Sequence, residues 1–222
     1  MALALTQSQD WVLYYALSGE NSVRLSKLHI VALALAMSAA SGSAAQAQSL
    51  LSPEPFAGIV DEIRLGISAH DVSYTLFAKP WEYKLDQIED VTFDILFTSP
   101  DIDAFRWIGS PRTDLGVTIN LDGQDSLAHL SLTWQLPVFD TPFYIEGAFG
   151  GAIHNGYLTG SPDPTQRANF GCRINFYERY GVGAHLSENV TASLLYEHSS
   201  NNGWCDANQG LSNVGLRMGW KF

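Results

Sequence analysis

A histidine and a serine stand two residues apart near the carboxy-terminal end of the chain, as His198 and Ser200. A serine hydroxyl becomes nucleophilic when a neighbouring base takes its proton, and histidine is suited to that task near neutral pH. Residues i and i+2 of a β-strand point to the same face, so this spacing places both side chains on one side of a sheet. The pair therefore predicts a serine nucleophile with a histidine base.

The pair ends an alternating segment that begins at Val190, and a second alternating segment runs to the carboxy terminus. In outer-membrane barrels a row of large apolar side chains faces lipid, and small or charged side chains face the lumen. His198 and Ser200 share a row with apolar residues, so we expect them on the lipid side, with the membrane itself as substrate. The apolar row of the last segment consists of Val214, Leu216, Met218, Trp220 and Phe222.

Eight such segments, separated by residues typical of turns, predict an all-β fold, an eight-stranded antiparallel transmembrane β-barrel. An eight-stranded barrel is filled by its own side chains and is not an open pore. The predicted strands are Glu62–Asp71, Val91–Phe97, Leu115–Ile119, Ser126–Leu136, Phe143–His154, and three that begin near Phe170, Val190 and Leu211.

The amino terminus has the features of a secretory signal. Two basic residues precede the apolar run 28–37, and Ala45-Gln46-Ala47 follows as a cleavage site of the A-x-A kind. We therefore predict an N-terminal extension and signal peptide over residues 1–47 and the barrel domain over residues 48–222. Export, together with the barrel pattern, predicts the cell outer membrane as the location.

Composition narrows the classes of partner and cofactor. The chain has 12 Lys and Arg against 23 Asp and Glu, a net charge of -11, which argues against nucleic acid as a partner. Neither a Cys/His metal spacing nor a phosphate-binding glycine loop occurs, so we predict no metal and no cofactor. After export, Cys172 and Cys205 can form a disulfide or remain free thiols, and the sequence leaves both open.

Residues 198–203, H-S-S-N-N-G, resemble the H-x-S-N-x-G signature of the lipid A 3-O-deacylases, the PagL type, often called acyloxyacyl hydrolases. The first strand, the segments 110–112 and 150–156, and the closing strand are also similar to that family. The resemblance implies an eight-stranded outer-membrane barrel that removes the ester-linked 3-position acyl chain of lipid A. It further implies a Ser-His-Glu triad without a metal.

The family's roles transfer onto matching positions of this sequence. Ser200 matches the nucleophile and His198 matches its base. The side chain of Asn201 and the backbone N–H of Gly203 match the donors to the oxyanion, which must be aimed where negative charge develops.

The chain departs from the family at the triad acid, because Ser212 stands where the family has glutamate. The acid normally fixes the tautomer of the base and stabilises its cation. Ser212 or Asn213 could hold the imidazole by a neutral hydrogen bond, and Asp206 could approach from the loop. We assign Asp71, beside His70, to a loop hydrogen bond.

These observations predict an outer-membrane serine esterase that acts on lipid A of lipopolysaccharide. The alternative, supported by Ser212, is a catalytically weak or inactive barrel with a structural or adhesive role. The sequence leaves open whether the barrel forms a homodimer.

Overall fold

The computed structural model describes residues 58–72 and 84–222. The predicted targeting segment, residues 1–47, lies outside them. Eight antiparallel strands form a closed barrel, in which each strand pairs with its sequence neighbour and β8 pairs with β1. The predicted all-β barrel is confirmed. Its elements are β1 Val60–Ala69, β2 Ile88–Phe97, α1 Asp103–Trp107, β3 Arg112–Asn120, β4 Leu127–Pro137, β5 Phe143–His154, β6 Ile174–His185, β7 Val190–Ser200 and β8 Leu211–Lys221.

The outward face of the barrel carries exposed apolar side chains at alternating positions of its strands. Most of their neighbours in sequence are polar or small and are buried inside the barrel, and Leu195 is a large apolar exception. This is the pattern of a barrel whose outer face meets lipid. In the described residues, no helix combines the length and the apolar character needed to span a membrane. Exposed members of the outward row include Leu65, Leu115, Leu130, Ile145, Phe149, Val182, Leu194 and Leu216.

Ion pairs fill the interior of the barrel. Glu146 accepts hydrogen bonds from Arg64 and Arg217, each at 2.7 Å, and from Arg179 at 3.2 Å. Arg217 also binds Asp94 at 2.8 Å. All of these side chains are buried, and buried charges are tolerated where they are paired. The network joins strands on opposite sides of the barrel and holds its cross-section.

The first strand is shorter at its end than predicted. It ends at Ala69, whereas the alternation predicted a strand to Asp71. The His70 N–H donates to the Gln87 carbonyl at 2.8 Å, and Asp71 adopts a φ of 43°. A left-handed residue breaks the extended path, so Asp71 leaves the strand.

The sixth strand begins at Ile174, four positions after the predicted start near Phe170. The Phe170 N–H donates to the Tyr157 carbonyl at 2.8 Å, and the Tyr157 N–H donates to the Ala168 carbonyl at 3.0 Å. Residues 168–170 therefore pair with the preceding loop, and Phe170 lies outside the strands of the barrel wall.

Candidate active site

The predicted nucleophile and base lie on the outward face at the end of β7. Ser200 is the last residue of this strand. Across the sheet, His198 is opposite Ser212 of β8, and Ser200 is opposite Phe176 of β6. Between them in sequence, Ser199 takes the other face and is buried. The strand thus gives His198 and Ser200 the shared face that their spacing predicts.

The imidazole of His198 is held from the side of β8. Its Nδ1 atom lies 2.8 Å from the Oγ atom of Ser212, to which the Tyr196 hydroxyl also donates at 2.9 Å. His198 is 4% exposed and Ser212 is fully buried. If Nδ1–H donates to Ser212, Nε2 carries no proton and can accept one. A hydroxyl thus occupies the position where a triad has its acid.

Of the three orienting groups that the sequence left open, Ser212 is the one that contacts His198 within the described residues. The side chain of Asn213 turns into the barrel, where its Nδ2 atom donates to Glu197 at 2.8 Å. Asp206 is an exposed residue of the loop between β7 and β8.

Because Gly210 has no side chain, the imidazole of His198 can occupy the space beside it. A Cβ atom at this position would lie 2.8 Å from Cε1 and 3.3 Å from Nε2 of His198. Real Cβ atoms do not approach so closely, so His198 could not keep this position beside a larger residue. The absence of a side chain at 210 is therefore part of the site.

The Ser200 hydroxyl is partly exposed at the edge of this arrangement. Within the described part of the chain, no hydrogen bond joins it to His198. Catalytic hydrogen bonds are often long in unliganded enzymes and tighten when substrate binds. Proton transfer from Ser200 to His198 requires such an approach of Oγ to Nε2.

The predicted oxyanion donors lie in the turn that follows β7. Asn201 is buried, and its Nδ2 atom donates to the carbonyls of Ala207, at 2.6 Å, and Phe170. Its Oδ1 atom accepts the N–H of Gly203 at 2.8 Å. Asn202 and Gly203 have φ values of 55° and 78°, which give the turn its shape. In this state both predicted donors bind partners within the protein.

A disulfide between Cys172 and Cys205 fastens the same turn, with Cα atoms 5.7 Å apart. It joins the segment before β6 to the loop after β7. The amide of Asn201 connects these two segments as well, through Phe170 and Ala207. Gln209 adds hydrogen bonds to Asn169 and Pro164, so the loop beside Ser200 is held by the disulfide and by several hydrogen bonds.

Two carboxylates near the site were not foreseen. Glu178 of β6 is opposite His198, and its Oε2 atom is buried without a hydrogen-bond partner among the described residues. The Asp71 carboxylate faces the backbone N–H of Ser212. Asp71 could have been found from the closure of the barrel, because closure pairs β1 with β8 and brings the end of β1 beside the start of β8.

Three donor atoms of Asp94, Asp114 and His129 lie within 4.8 Å of one another inside the barrel. Such a group could hold a cation. Here the two carboxylates already face Arg179, and Asp94 also binds Arg217 at 2.8 Å. The charge that would attract a metal is thus balanced by guanidinium groups, and the cluster belongs to the ion-pair network.

One family model and several solved structures are similar to this chain. A profile of the family described as lipid A 3-O-deacylase (PagL) matches residues 71–221. The crystal structure of the outer-membrane enzyme PagL is 16% identical, with a TM-score of 0.46, over 72% of this chain and 99% of that chain. The N-terminal barrel domain of Pseudomonas aeruginosa OprF is 14% identical, with a TM-score of 0.44, over 73% and 98%. No curated protein sequence matches the chain.

Proposed function

The chain belongs to the lipid A 3-O-deacylase (PagL) family of outer-membrane barrels, and we propose that it is a serine esterase that removes an ester-linked acyl chain from lipid A of lipopolysaccharide. The observation that carries the proposal is the placement of His198. Its Nδ1 atom is fixed by Ser212 at 2.8 Å, on the outward face that it shares with Ser200. A base fixed in this way favours one tautomer and one direction of proton transfer.

The reaction follows from these positions. As His198 Nε2 takes the proton of Ser200, the serine oxygen attacks the ester carbonyl and a tetrahedral oxyanion forms. The intermediate collapses with cleavage of the bond between the carbonyl carbon and the sugar oxygen, His198 gives its proton to that oxygen, which leaves as a hydroxyl, and Ser200 keeps the acyl group. Water, deprotonated by the same imidazole, then releases the fatty acid and restores the serine.

The oxyanion needs donors, and Gly203 and Asn201 are the groups we assign. The Gly203 N–H is bound to Asn201 Oδ1, a contact between residues two apart in one turn. Exchanging that acceptor for an oxyanion replaces a neutral hydrogen bond by a stronger, charge-assisted one. The Asn201 side chain would have to release one of two carbonyls, so Gly203 is the more available donor.

Apolar side chains beside Ser200 suit an acyl chain. Phe176 is opposite Ser200 on β6. The indole of Trp204 packs edge-on against the Phe176 ring, with ring centroids 4.8 Å apart. Trp204 is 75% exposed, so its indole offers apolar surface at the mouth of the site. We place the scissile acyl chain along these rings.

A second candidate is a barrel that has lost catalysis and keeps a structural or adhesive role. Ser212 favours it, because a neutral hydroxyl stabilises a histidine cation less than a carboxylate does. This reading predicts that substitutions at Ser200 have no effect on lipid A.

Mass spectrometry of lipid A, after incubation with the purified barrel, separates the two. The wild type should remove the mass of one hydroxyacyl chain, and Ser200→Ala should remove none. Ser199→Ala is the matched control, because Ser199 is the adjacent serine, faces inward and has no hydrogen bond to lose among the described residues. Equal lipid A spectra with wild type and Ser200→Ala would reject the esterase.

A further inference from the structure

The catalytic histidine needs a negative charge that Ser212 does not supply. His198 becomes a cation when it takes the proton of Ser200, and in serine hydrolases a carboxylate stabilises that cation. Here its Nδ1 atom contacts a hydroxyl. A carboxylate could act on His198 through that hydroxyl if it accepts the Ser212 proton.

The chain at Asp71 is fastened to the start of β8. The Asp71 N–H donates to the Oδ1 atom of Asn213 at 2.9 Å, and the Val72 N–H donates to the Ser212 carbonyl at 2.8 Å. With its φ of 43°, Asp71 occupies a conformation that aspartate and asparagine tolerate better than most residues. These contacts bring its carboxylate beside Ser212.

One oxygen of the Asp71 carboxylate is available as a hydrogen-bond acceptor. The carboxylate faces the backbone N–H of Ser212, while its Oδ1 atom is buried without a hydrogen-bond partner among the described residues. Burial raises the pKa of Asp71 to about 6. At neutral pH the group is therefore mostly ionised although it is poorly solvated, and such a charge gains most from a nearby donor or cation.

The hydroxyl of Ser212 has one proton to donate and two lone pairs that accept. Tyr196 donates to its Oγ atom, and Nδ1–H of His198 donates to it in the tautomer that catalysis requires. Both lone pairs are then occupied, and the Ser212 proton still needs an acceptor because the residue is fully buried. Asp71 lies beside Ser212 across the closure of β1 and β8, and its unpaired oxygen can accept this proton once the two atoms come within hydrogen-bond distance.

We propose that Asp71 is the positioning acid of this site, and that it orients and stabilises His198 through the hydroxyl of Ser212. The inference rests on the proposed esterase function. In the relay, His198 Nδ1–H donates to Ser212 Oγ, and Ser212 Oγ–H donates to the Asp71 carboxylate. No proton leaves Asp71 or Ser212 during the cycle, and the carboxylate stabilises the cation electrostatically.

Glu178 is the competing carboxylate, since it is opposite His198 on β6. The orienting atom of the imidazole nevertheless faces the other way, toward Ser212 on β8. A carboxylate on β6 therefore lies on the wrong side to fix Nδ1. Asp71 is on the side of β8 that the relay requires.

Kinetics of lipid A hydrolysis by the full chain test the relay, with Asp71→Asn, Glu178→Gln and Ser212→Ala. Asparagine keeps the shape and tolerates the left-handed backbone. We expect Asp71→Asn to lower kcat by about 10- to 100-fold with KM nearly unchanged, a smaller loss than the roughly 10,000-fold seen when a direct triad acid is neutralised. Glu178→Gln should keep kcat within about threefold of the wild type.

Two backgrounds distinguish a relay from a structural role. In Ser212→Ala the relay is already broken, so adding Asp71→Asn should change kcat by less than about threefold. In Ser212→Glu a carboxylate can reach His198 directly, and Asp71→Asn should again have little effect. Retention of the compact, heat-modifiable form on a gel shows that each variant is folded.

The outcomes separate the two proposals. Equal losses from Asp71→Asn in the wild-type and Ser212→Ala backgrounds would show a structural role and overturn the relay. Wild-type kcat in Asp71→Asn, with Ser200→Ala inactive, would overturn the relay and leave the esterase standing. If the wild type is no faster than Ser200→Ala, the esterase fails and the relay fails with it.

Discussion

The Nδ1 atom of His198 and the Oγ atom of Ser212 lie 2.8 Å apart on neighbouring strands. The register of β7 and β8 makes them direct partners across the sheet, so the barrel wall itself fixes the contact. A hydroxyl at this position can set the tautomer of the base, but it cannot balance the charge that the base acquires. The predictions below follow from this contact and from the scaffold around it.

Removing the hydroxyl should slow hydrolysis and leave binding intact. Ser212→Ala deprives Nδ1 of its partner, so the imidazole loses its preferred tautomer and orientation. We expect kcat to fall by about 10- to 100-fold with KM within about twofold, as for an interaction that acts mainly in the transition state. Steady-state hydrolysis of lipid A measures both constants. An unchanged kcat would mean that Ser212 does not orient His198.

A methyl group at 210 should displace the base. In Gly210→Ala the new Cβ atom would lie 2.8 Å from Cε1 of His198, so the ring has to move away. A shift of that size in a catalytic group lowers kcat by about 10- to 100-fold. Gly147→Ala is the matched control, because nothing lies within 4 Å of a Cβ there. Equal activity of the two variants would show that the site tolerates the movement.

Reduction of the Cys172–Cys205 disulfide should loosen the outer loop and leave the barrel closed. The disulfide joins the same two segments as the hydrogen bonds of Asn201 and Gln209, so after reduction only hydrogen bonds hold the turn. We expect protease to cut faster within residues 201–210 after reduction, with the strands still protected. Mass spectrometry of the fragments locates the cuts. Unchanged cleavage would mean that the hydrogen bonds suffice.

Fold and site differed in how far the sequence could predict them. Alternation and turn residues predicted eight strands, because a barrel wall must present lipid and lumen on opposite faces. The same alternation placed His198 and Ser200 on one face, whereas Ser212 was indicated by the family resemblance, and the structure makes it the cross-strand partner of His198. It could not assign Asp71, whose relation to Ser212 depends on a left-handed residue and on closure between the first and last strands. The hydrogen bonds of the turn after β7 were not predicted either. Asn201 binds the carbonyl of Phe170, which is distant in sequence, and the carbonyl of Ala207, which the loop folds back toward it.

The interior ion pairs should dominate stability. Glu146→Gln removes the charge that faces Arg64, Arg179 and Arg217 and leaves three buried guanidinium groups short of a partner. Breaking a buried pair in this way costs about 3–5 kcal/mol. Urea unfolding of the refolded barrel in lipid vesicles measures the free energy.

The control for this prediction is Asp101→Asn. Asp101 pairs with Arg106 at 2.6 Å in a largely exposed setting, where a salt bridge contributes about 0–1 kcal/mol. If both variants lower the free energy of unfolding equally, the interior network does not hold the barrel.

The most direct test of the account is covalent labelling of the nucleophile. A fluorophosphonate reacts with a serine that a neighbouring base has activated, and peptide mass spectrometry identifies the modified residue. We predict one adduct, on Ser200, which is lost in His198→Ala and retained in Ser199→Ala. No adduct on Ser200 of a folded barrel, or labelling that His198→Ala leaves unchanged, would contradict the claim that His198 activates Ser200 for ester hydrolysis.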